Sequence, residues 1–124
     1  MNVPDDLLYT KEHEWIHIVD DIATIGVTDY AQGELGDIIF IEFPHKGVKY
    51  LSGDTIGTIE AVKTVADIYA PIDGHISEVN IELEDKPDMI NKDPYKKGWI
   101  IKFCKITKDV SNLLTAYDYK KLIQ

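Results

Sequence analysis

Short runs of β-branched and aromatic residues, separated by turn-forming residues, recur along almost the whole chain and limit the folds open to it. The runs at 13–19 and 22–27 flank Asp20-Asp21, a pattern that predicts a tight β-hairpin. Another run ends at Pro44, which has no amide hydrogen with which to continue a strand ladder. That run is 38–43, and further runs of the same kind lie at 55–62, 65–69, 75–81 and 99–106. Many short strands joined by turns predict a mainly β domain, built as a barrel or a sandwich.

Helix-forming patterns are short and lie at the edges of this strand pattern. Thr28 is a suitable N-cap for a short helix that should stop near Gly33. The apolar spacing over 110–122 predicts an amphipathic helix at the C-terminus, capped by Asp109 or Ser111. We therefore expect short peripheral helices and a C-terminal helix around the strands.

The acidic composition argues against several classes of partner. The chain has 22 Asp and Glu residues against 13 lysines and no arginine, giving a formal net charge of −9. Such a surface repels phosphate groups and has no guanidinium with which to clamp them. Neither nucleic acid nor an anionic membrane surface is therefore expected as a partner. The one cysteine, Cys104, cannot form an internal disulfide, as expected in a reducing compartment.

Length and hydropathy predict a single soluble domain. The 124 residues can bury their own core, so we expect one domain spanning 1–124. No apolar run approaches the ~18 residues of a membrane span. The acidic N-terminus is also unlike a secretory signal. We expect a monomer in a bacterial cytoplasm, or in the mitochondrial matrix if the source is eukaryotic.

The segment His13-Glu14-Trp15-Ile16-His17 matches the HExxH pattern of zinc proteases letter for letter. That chemistry needs a helix, where residues four apart can share one metal ion. Here the segment predicts a strand, along which four residues span roughly 13 Å, too far for both imidazoles to bind one zinc. A zinc hydrolase is therefore disfavoured, and no metal ligands or catalytic residues are assigned.

Lys63 lies between two apolar, β-branched runs, at the expected end of a second hairpin. A lysine in such a turn commonly serves only solubility. The surrounding segment, however, Glu60-Ala-Val-Lys63-Thr-Val-Ala-Asp67-Ile-Tyr-Ala-Pro71-Ile-Asp-Gly74, resembles the lipoyl-attachment segment of the glycine cleavage system H protein family. Three further blocks resemble that family in the same order, namely Tyr9 to Trp15, Ile25 to Asp37 and Asn91 to Trp99.

The resemblance implies a hybrid barrel-sandwich of the lipoyl and biotinyl type, with lipoate attached to Lys63. It implies a non-catalytic carrier that takes an aminomethyl group from glycine decarboxylase to aminomethyltransferase and is reoxidised by dihydrolipoyl dehydrogenase. A lipoate ligase or an octanoyltransferase would modify the lysine. It also implies that the arm, once it carries the aminomethyl group, folds back into a cleft on the protein, where Glu14 and Asp67 contact its amine. Glu12 departs from the small hydroxyl residue found in some members, which affects the mouth of the cleft.

Two alternatives remain open within the carrier class. Biotin domains share this fold, but methionines typically flank their lysine, whereas Val62 and Thr64 flank Lys63. A lipoyl donor that serves other proteins would use the same lysine and the same arm. The sequence disfavours biotin and does not separate the donor from the glycine cleavage carrier.

Overall fold

The computed structural model describes residues 1–124 and contains two antiparallel sheets with short helices at their margins. In chain order the elements are β1 (Leu8–Tyr9), β2 (Glu14–Val19), β3 (Ile22–Val27), α1 (Asp29–Leu35), β4 (Ile38–Glu42), β5 (Lys49–Tyr50), β6 (Thr55–Ala61), β7 (Val65–Tyr69), β8 (Gly74–Val79), a 3-10 helix (Ile81–Glu84), α2 (Met89–Lys92), β9 (Ile101–Cys104) and α3 (Ala116–Leu122). The larger sheet has the order β1-β2-β3-β9-β8-β5 and the smaller sheet β4-β6-β7. The prediction of a mainly β fold is confirmed.

Both predicted hairpins are present. In the first, β2 pairs with β3 in continuous register from Glu14 opposite Val27 to Val19 opposite Ile22. In the second, β6 pairs with β7, and the last pair before the turn is Glu60 opposite Val65. Strands β8 and β9 are shorter than the runs that predicted them, ending at Val79 and Cys104. The second hairpin is the element that presents Lys63.

One hydrophobic core lies between the two sheets, and a smaller one lies under the C-terminal helix. Ile25, Ile59 and Ile101 belong to the main cluster and are at most 1% exposed. Burying each such side chain stabilises the fold by about 1.5–3 kcal/mol. The second cluster consists of Leu7, Tyr9, Trp15, Ala116 and Tyr119. In it, the rings of Tyr9 and Tyr119 stack with centroids 4.7 Å apart, which ties α3 to β1.

The C-terminal helix begins later than predicted. It starts at Ala116, and its N-cap is Thr115, whose side chain accepts a hydrogen bond from the amide of Asp118. The prediction of a cap at Asp109 or Ser111 is therefore wrong. Leu114 instead exchanges two backbone hydrogen bonds with Tyr9, of 2.7 and 2.8 Å. This bridge holds the chain before α3 out of the helical conformation, which local apolar spacing could not reveal.

Helix α1 extends past the predicted stop at Gly33 and ends at Leu35. Gly36 is its C-cap, with φ of 77°, a conformation that glycine adopts without strain. The expected N-cap is confirmed, because the Thr28 side chain accepts a hydrogen bond from the amide of Ala31. No helix in the structure combines the length and apolar character needed to cross a membrane.

Candidate functional site

Lys63 lies in the tight turn that joins β6 to β7. The turn is closed by a 2.8 Å hydrogen bond from the Ala61 amide to the Thr64 carbonyl. A 3.0 Å bond from the Val62 amide to the Asp37 carbonyl holds the turn against the segment before β4. Lys63 is exposed and takes part in none of the four ion pairs of the structure. The backbone of the turn is therefore fixed while the lysine side chain extends into solvent.

Exposed apolar side chains lie beside the lysine turn and on the outer face of the smaller sheet. Val62 and Val65 are 67% and 60% exposed. Phe40, Glu60 and Val65 are aligned across the three strands of the sheet, so they share its outer face. Phe40 is 55% exposed. Together these residues form an apolar flank beside Lys63, which we call the tip surface (Phe40, Val62 and Val65).

A cavity of about 310 Å³ lies between α1, the start of β2 and the smaller sheet. Its apolar lining includes Val27, Leu35, Ile59 and Ala66. Its acidic lining consists of Glu12, Glu14, Glu34 and Asp67. Asp67 follows Lys63 by four positions on the same hairpin. The cavity, called the cleft from here on, suits a ligand with an apolar body and a positively charged end.

Glu14 is the buried carboxylate of the cleft, only 1% exposed. The Thr10 hydroxyl donates to its Oε1 at 2.6 Å and the Tyr69 amide donates to its Oε2 at 3.1 Å. The Glu14 amide in turn donates to the Thr10 hydroxyl oxygen at 3.1 Å, which closes the loop before β2. Burial raises the pKa of Glu14 to about 7, although both donated bonds favour the ionised form. A cation entering the cleft would therefore meet a carboxyl group close to its titration point.

Asp67 is placed differently from Glu14, although both line the cleft. It lies on β7 and is exposed. The Tyr69 hydroxyl donates to its Oδ2 at the long distance of 3.5 Å. Because the negative charge of Asp67 disfavours the phenolate, it raises the pKa of Tyr69. The structure thus brings Glu14 and Asp67 to the same cleft, one fixed in its wall and one at its solvent side.

Three polar side chains of the cleft were not predicted from the sequence. Tyr30 and Glu34 come from α1, where residues four apart share one face. That spacing could have placed both residues on one helix face, but no local sequence pattern indicates that α1 lies beside β2 and β7. His13 is the third. The HExxH segment predicts a strand, yet His13 lies just before β2 with φ of 70° and is half-buried.

The HExxH match falls on a strand, as predicted. β2 begins at Glu14, and His17 is exposed opposite Thr24 of β3. The helical geometry that this motif needs for zinc is therefore not present. No group of three or more His, Cys, Asp or Glu side chains is arranged to hold a metal ion.

Comparison with known proteins extends the likeness over nearly the whole chain. Residues 7–124 match a family model described as Glycine cleavage H-protein. A relative from Listeria innocua, named Glycine cleavage system H protein, is 51% identical over 122 residues, covering 98% of each chain. Another of that name from Herpetosiphon aurantiacus is 48% identical over 122 residues, covering 98% of this chain and 94% of the relative.

A crystal structure of a glycine cleavage system H protein from Mycobacterium marinum gives the same result for the fold. The two sequences are 36% identical, and the structures align with a TM-score of 0.88 over 96% of this chain and 97% of the Mycobacterium marinum chain. The predicted hybrid barrel-sandwich with a C-terminal helix is thus confirmed. With a family model matched from residue 7 to the last residue and about half of all positions identical in relatives, this chain belongs to the glycine cleavage H-protein family.

Proposed function

We propose that this protein is a lipoyl-bearing carrier of glycine cleavage, with lipoate joined by an amide bond to Nζ of Lys63. The observation that carries the proposal is an exposed lysine, free of ion pairs, in a rigid turn on the same hairpin as an acid-lined cleft. Relatives about 50% identical are named glycine cleavage system H protein. Amide formation would remove the charge of Lys63 and lengthen its side chain into a mobile arm.

The cleft fits an arm of this kind. Its apolar lining, which includes Val27, Ile59 and Ala66, matches a hydrocarbon chain, and its carboxylates match a terminal ammonium. When bound, the lipoyl group would supply the sulfur atoms that accept the aminomethyl group of glycine. The chain's own contribution is to receive the arm, to orient its amine and to exclude water from it.

Glu14 and Asp67 are proposed as the contacts of the amine. An ammonium beside Glu14 would stabilise the carboxylate and lower its pKa, because an opposite charge favours ionisation. The bonds from Thr10 and Tyr69 hold both carboxylate oxygens in place before the amine arrives. Asp67, at the solvent side, would add a second negative charge as the arm enters.

The role is that of a carrier with no catalytic residue of its own. The proposed partners are glycine decarboxylase, aminomethyltransferase and dihydrolipoyl dehydrogenase, with a lipoate ligase or octanoyltransferase to modify Lys63. The net charge of −9 would speed docking to basic surfaces on these enzymes, an effect that salt would screen. A cytoplasmic monomer, formed by the single domain 1–124, suits a shuttle that visits several enzymes in turn.

The test is to co-express the protein with a lipoate ligase, supply lipoate, and measure the intact mass and the modified peptide. One lipoyl increment, on the peptide that contains Lys63, is expected. No increment, under conditions that modify a known acceptor protein, would refute the proposal.

Reconstitution with the three partner enzymes then tests the carrier role. Glycine-dependent formation of the folate product is expected only with the lipoylated chain. A lipoylated chain that supports no glycine cleavage, but passes its lipoyl group to another protein, would favour the donor alternative.

A further inference from the structure

His13 occupies a prominent place in the cleft that the proposed function does not use. Its ring is tilted against Tyr30 at a centroid distance of 4.9 Å and meets the Tyr119 ring edge-on at 5.8 Å. Its Nδ1 lies 2.8 Å from the hydroxyl oxygen of Tyr119, on the C-terminal helix. With Nδ1 engaged, Nε2 is the polar atom of the ring that remains free.

Tyr119 connects His13 to the N-cap of α1. Its hydroxyl oxygen also lies 2.7 Å from Oγ1 of Thr28. Thr28 and Tyr119 are both fully buried at 0% exposure. Oγ1 of Thr28 already accepts a 3.1 Å bond from the amide of Ala31. Three side chains from the strand edge, α1 and α3 therefore share one chain of hydrogen bonds, called the relay from here on (Thr28, Tyr119 and His13).

The number of available protons and acceptors fixes which group donates in each hydrogen bond of the relay. The hydroxyl proton of Thr28 has one available acceptor, the hydroxyl oxygen of Tyr119. Tyr119 must then donate its own proton to Nδ1 of His13, which leaves the proton of the neutral imidazole on Nε2. The reverse direction would leave the Thr28 proton buried with no acceptor, which is unfavourable.

The same count disfavours a positively charged His13. An imidazolium carries a proton on Nδ1, so Tyr119 would have to accept from it, and Thr28 would again lose its acceptor. Burial also lowers the pKa of His13, although the negative charges of Glu12 and Glu34 act in the opposite direction. Burial raises the pKa of Tyr119 to about 12, so its hydroxyl remains a proton donor. The titratable groups that contact the ring are Tyr30 and Tyr119, and those that line the cleft with it are Glu12, Glu14, Glu34 and Asp67.

We propose that Thr28 and Tyr119 are positioning residues that hold His13 as the neutral imidazole protonated on Nε2, so that the cleft offers its carboxylates to a cationic amine without a competing positive charge. A positively charged His13 would repel the ammonium and would form ion pairs with the carboxylates that are proposed to bind the amine. The relay also links α3, which contributes no residue to the cleft lining, to retention of the arm. This second consequence rests on the proposed carrier function, whereas the protonation state of His13 does not.

The first test uses the full chain without lipoate, labelled with nitrogen-15. Long-range proton–nitrogen correlation at pH 7.5 should give the pattern of a neutral ring protonated on Nε2. The His13 signals are assigned by their loss in His13→Asn, since asparagine tolerates the positive φ at this position. A ring protonated on Nδ1, or on both nitrogens, would overturn the proposal whether or not Lys63 can be lipoylated.

The second test compares Tyr119→Phe with Tyr117→Phe, which removes an exposed hydroxyl from the same helix. In Tyr119→Phe the pKa of His13 should rise. The half-life of the amine-loaded arm should fall several-fold at pH 6.5 and match wild type at pH 8.5. Tyr117→Phe should follow wild type at both values. Lipoylated Tyr119→Phe with a wild-type His13 titration and pH profile would overturn the relay, and if this variant does not fold, the tautomer measurement on wild type still decides.

Discussion

The turn that carries Lys63 and the cleft that is lined by the same hairpin are held in place in different ways. At the turn, residues 62–65 are all exposed, and backbone hydrogen bonds alone fix the geometry. At the cleft, Glu14 in the wall and Thr28 and Tyr119 behind His13 are buried, and each is fixed through its side chain. The exposed turn therefore suits contact with the proposed partner enzymes, whereas the cleft wall is held in place by its own side-chain hydrogen bonds.

This difference predicts which substitutions will affect the fold. Substitutions at exposed positions usually change stability by less than about 0.5 kcal/mol. Loss of a partner from a buried polar group costs about 1–3 kcal/mol. Variants of the turn should therefore alter function with the fold intact, whereas variants of the cleft should alter both.

The largest functional effect is expected for Lys63→Arg. Arginine keeps the positive charge and the exposed position but has no ammonium group to form the lipoyl amide. Lipoylation and glycine cleavage should both be lost completely, with the unfolding transition unchanged. Lys46→Arg, in another exposed turn, is the matched control and should keep full lipoylation by intact mass. Any lipoyl increment on Lys63→Arg would show that another lysine is modified.

Glu14 should make the stability of the chain without lipoate depend on pH. Its pKa is raised from 4.5 to about 7, so between these values the folded state retains a proton that the unfolded state has released. The contribution of the protonated group to stability is complete below about pH 4.5 and is lost as pH rises through 7. The loss amounts to about 3 kcal/mol for a shift of this size.

Urea unfolding of wild type and Glu14→Gln at pH 5, 6, 7 and 8 measures this contribution. Wild type should lose unfolding free energy relative to Glu14→Gln as pH rises across the series. The titration of Glu14 is given by how the difference in unfolding free energy between the two proteins changes with pH. The difference at a single pH also contains the loss of a hydrogen bond, because the side-chain nitrogen of glutamine cannot accept one from the Tyr69 amide. Parallel pH profiles would mean that Glu14 does not titrate in this window.

The same substitution should shorten the life of the amine-loaded arm. A hydrogen bond to a charged group contributes about 1.5–3 kcal/mol, so Glu14→Gln should lose the aminomethyl group about ten- to a hundredfold faster. Lipoylation of Lys63 should proceed at the wild-type rate. Glu42→Gln, an exposed carboxylate on β4 that does not line the cleft, is the matched control. An unchanged decay rate in Glu14→Gln would remove Glu14 from the proposed contacts.

The parts of the molecule that the sequence predicted well are those set by local pattern. Both hairpins follow from strand runs separated by a two- or three-residue turn, and the Thr28 cap follows from its position before a helix. The start of α3 was missed because the backbone bridge between Leu114 and Tyr9 spans most of the chain. Apolar spacing around Val110 and Leu114 is equally compatible with that extended segment.

The residues of the candidate site show the same contrast between local sequence pattern and long-range contact. Lys63, Glu14 and Asp67 came from a family resemblance, and no periodicity would have joined Glu14 to a hairpin more than forty positions away. The contact between His13 and Tyr119 spans 106 positions and left no local trace. Sequence reasoning thus predicted the turn and, through the resemblance, two carboxylates of the cleft, whereas the rest of the cleft wall needed the tertiary structure.

The smallest effect on the fold is expected for Val62→Ser combined with Val65→Ser on the tip surface. Both side chains are more than half exposed, so the unfolding free energy in urea should stay within about 0.5 kcal/mol of wild type. Because both side chains flank Lys63, loss of their apolar contact with the proposed lipoylating enzyme should raise the KM of that enzyme for this protein. Val19→Ser, 55% exposed at the other hairpin, should change neither quantity. A large loss of stability in the double variant would mean that the turn also depends on side-chain packing, and the contrast with the cleft would then not hold.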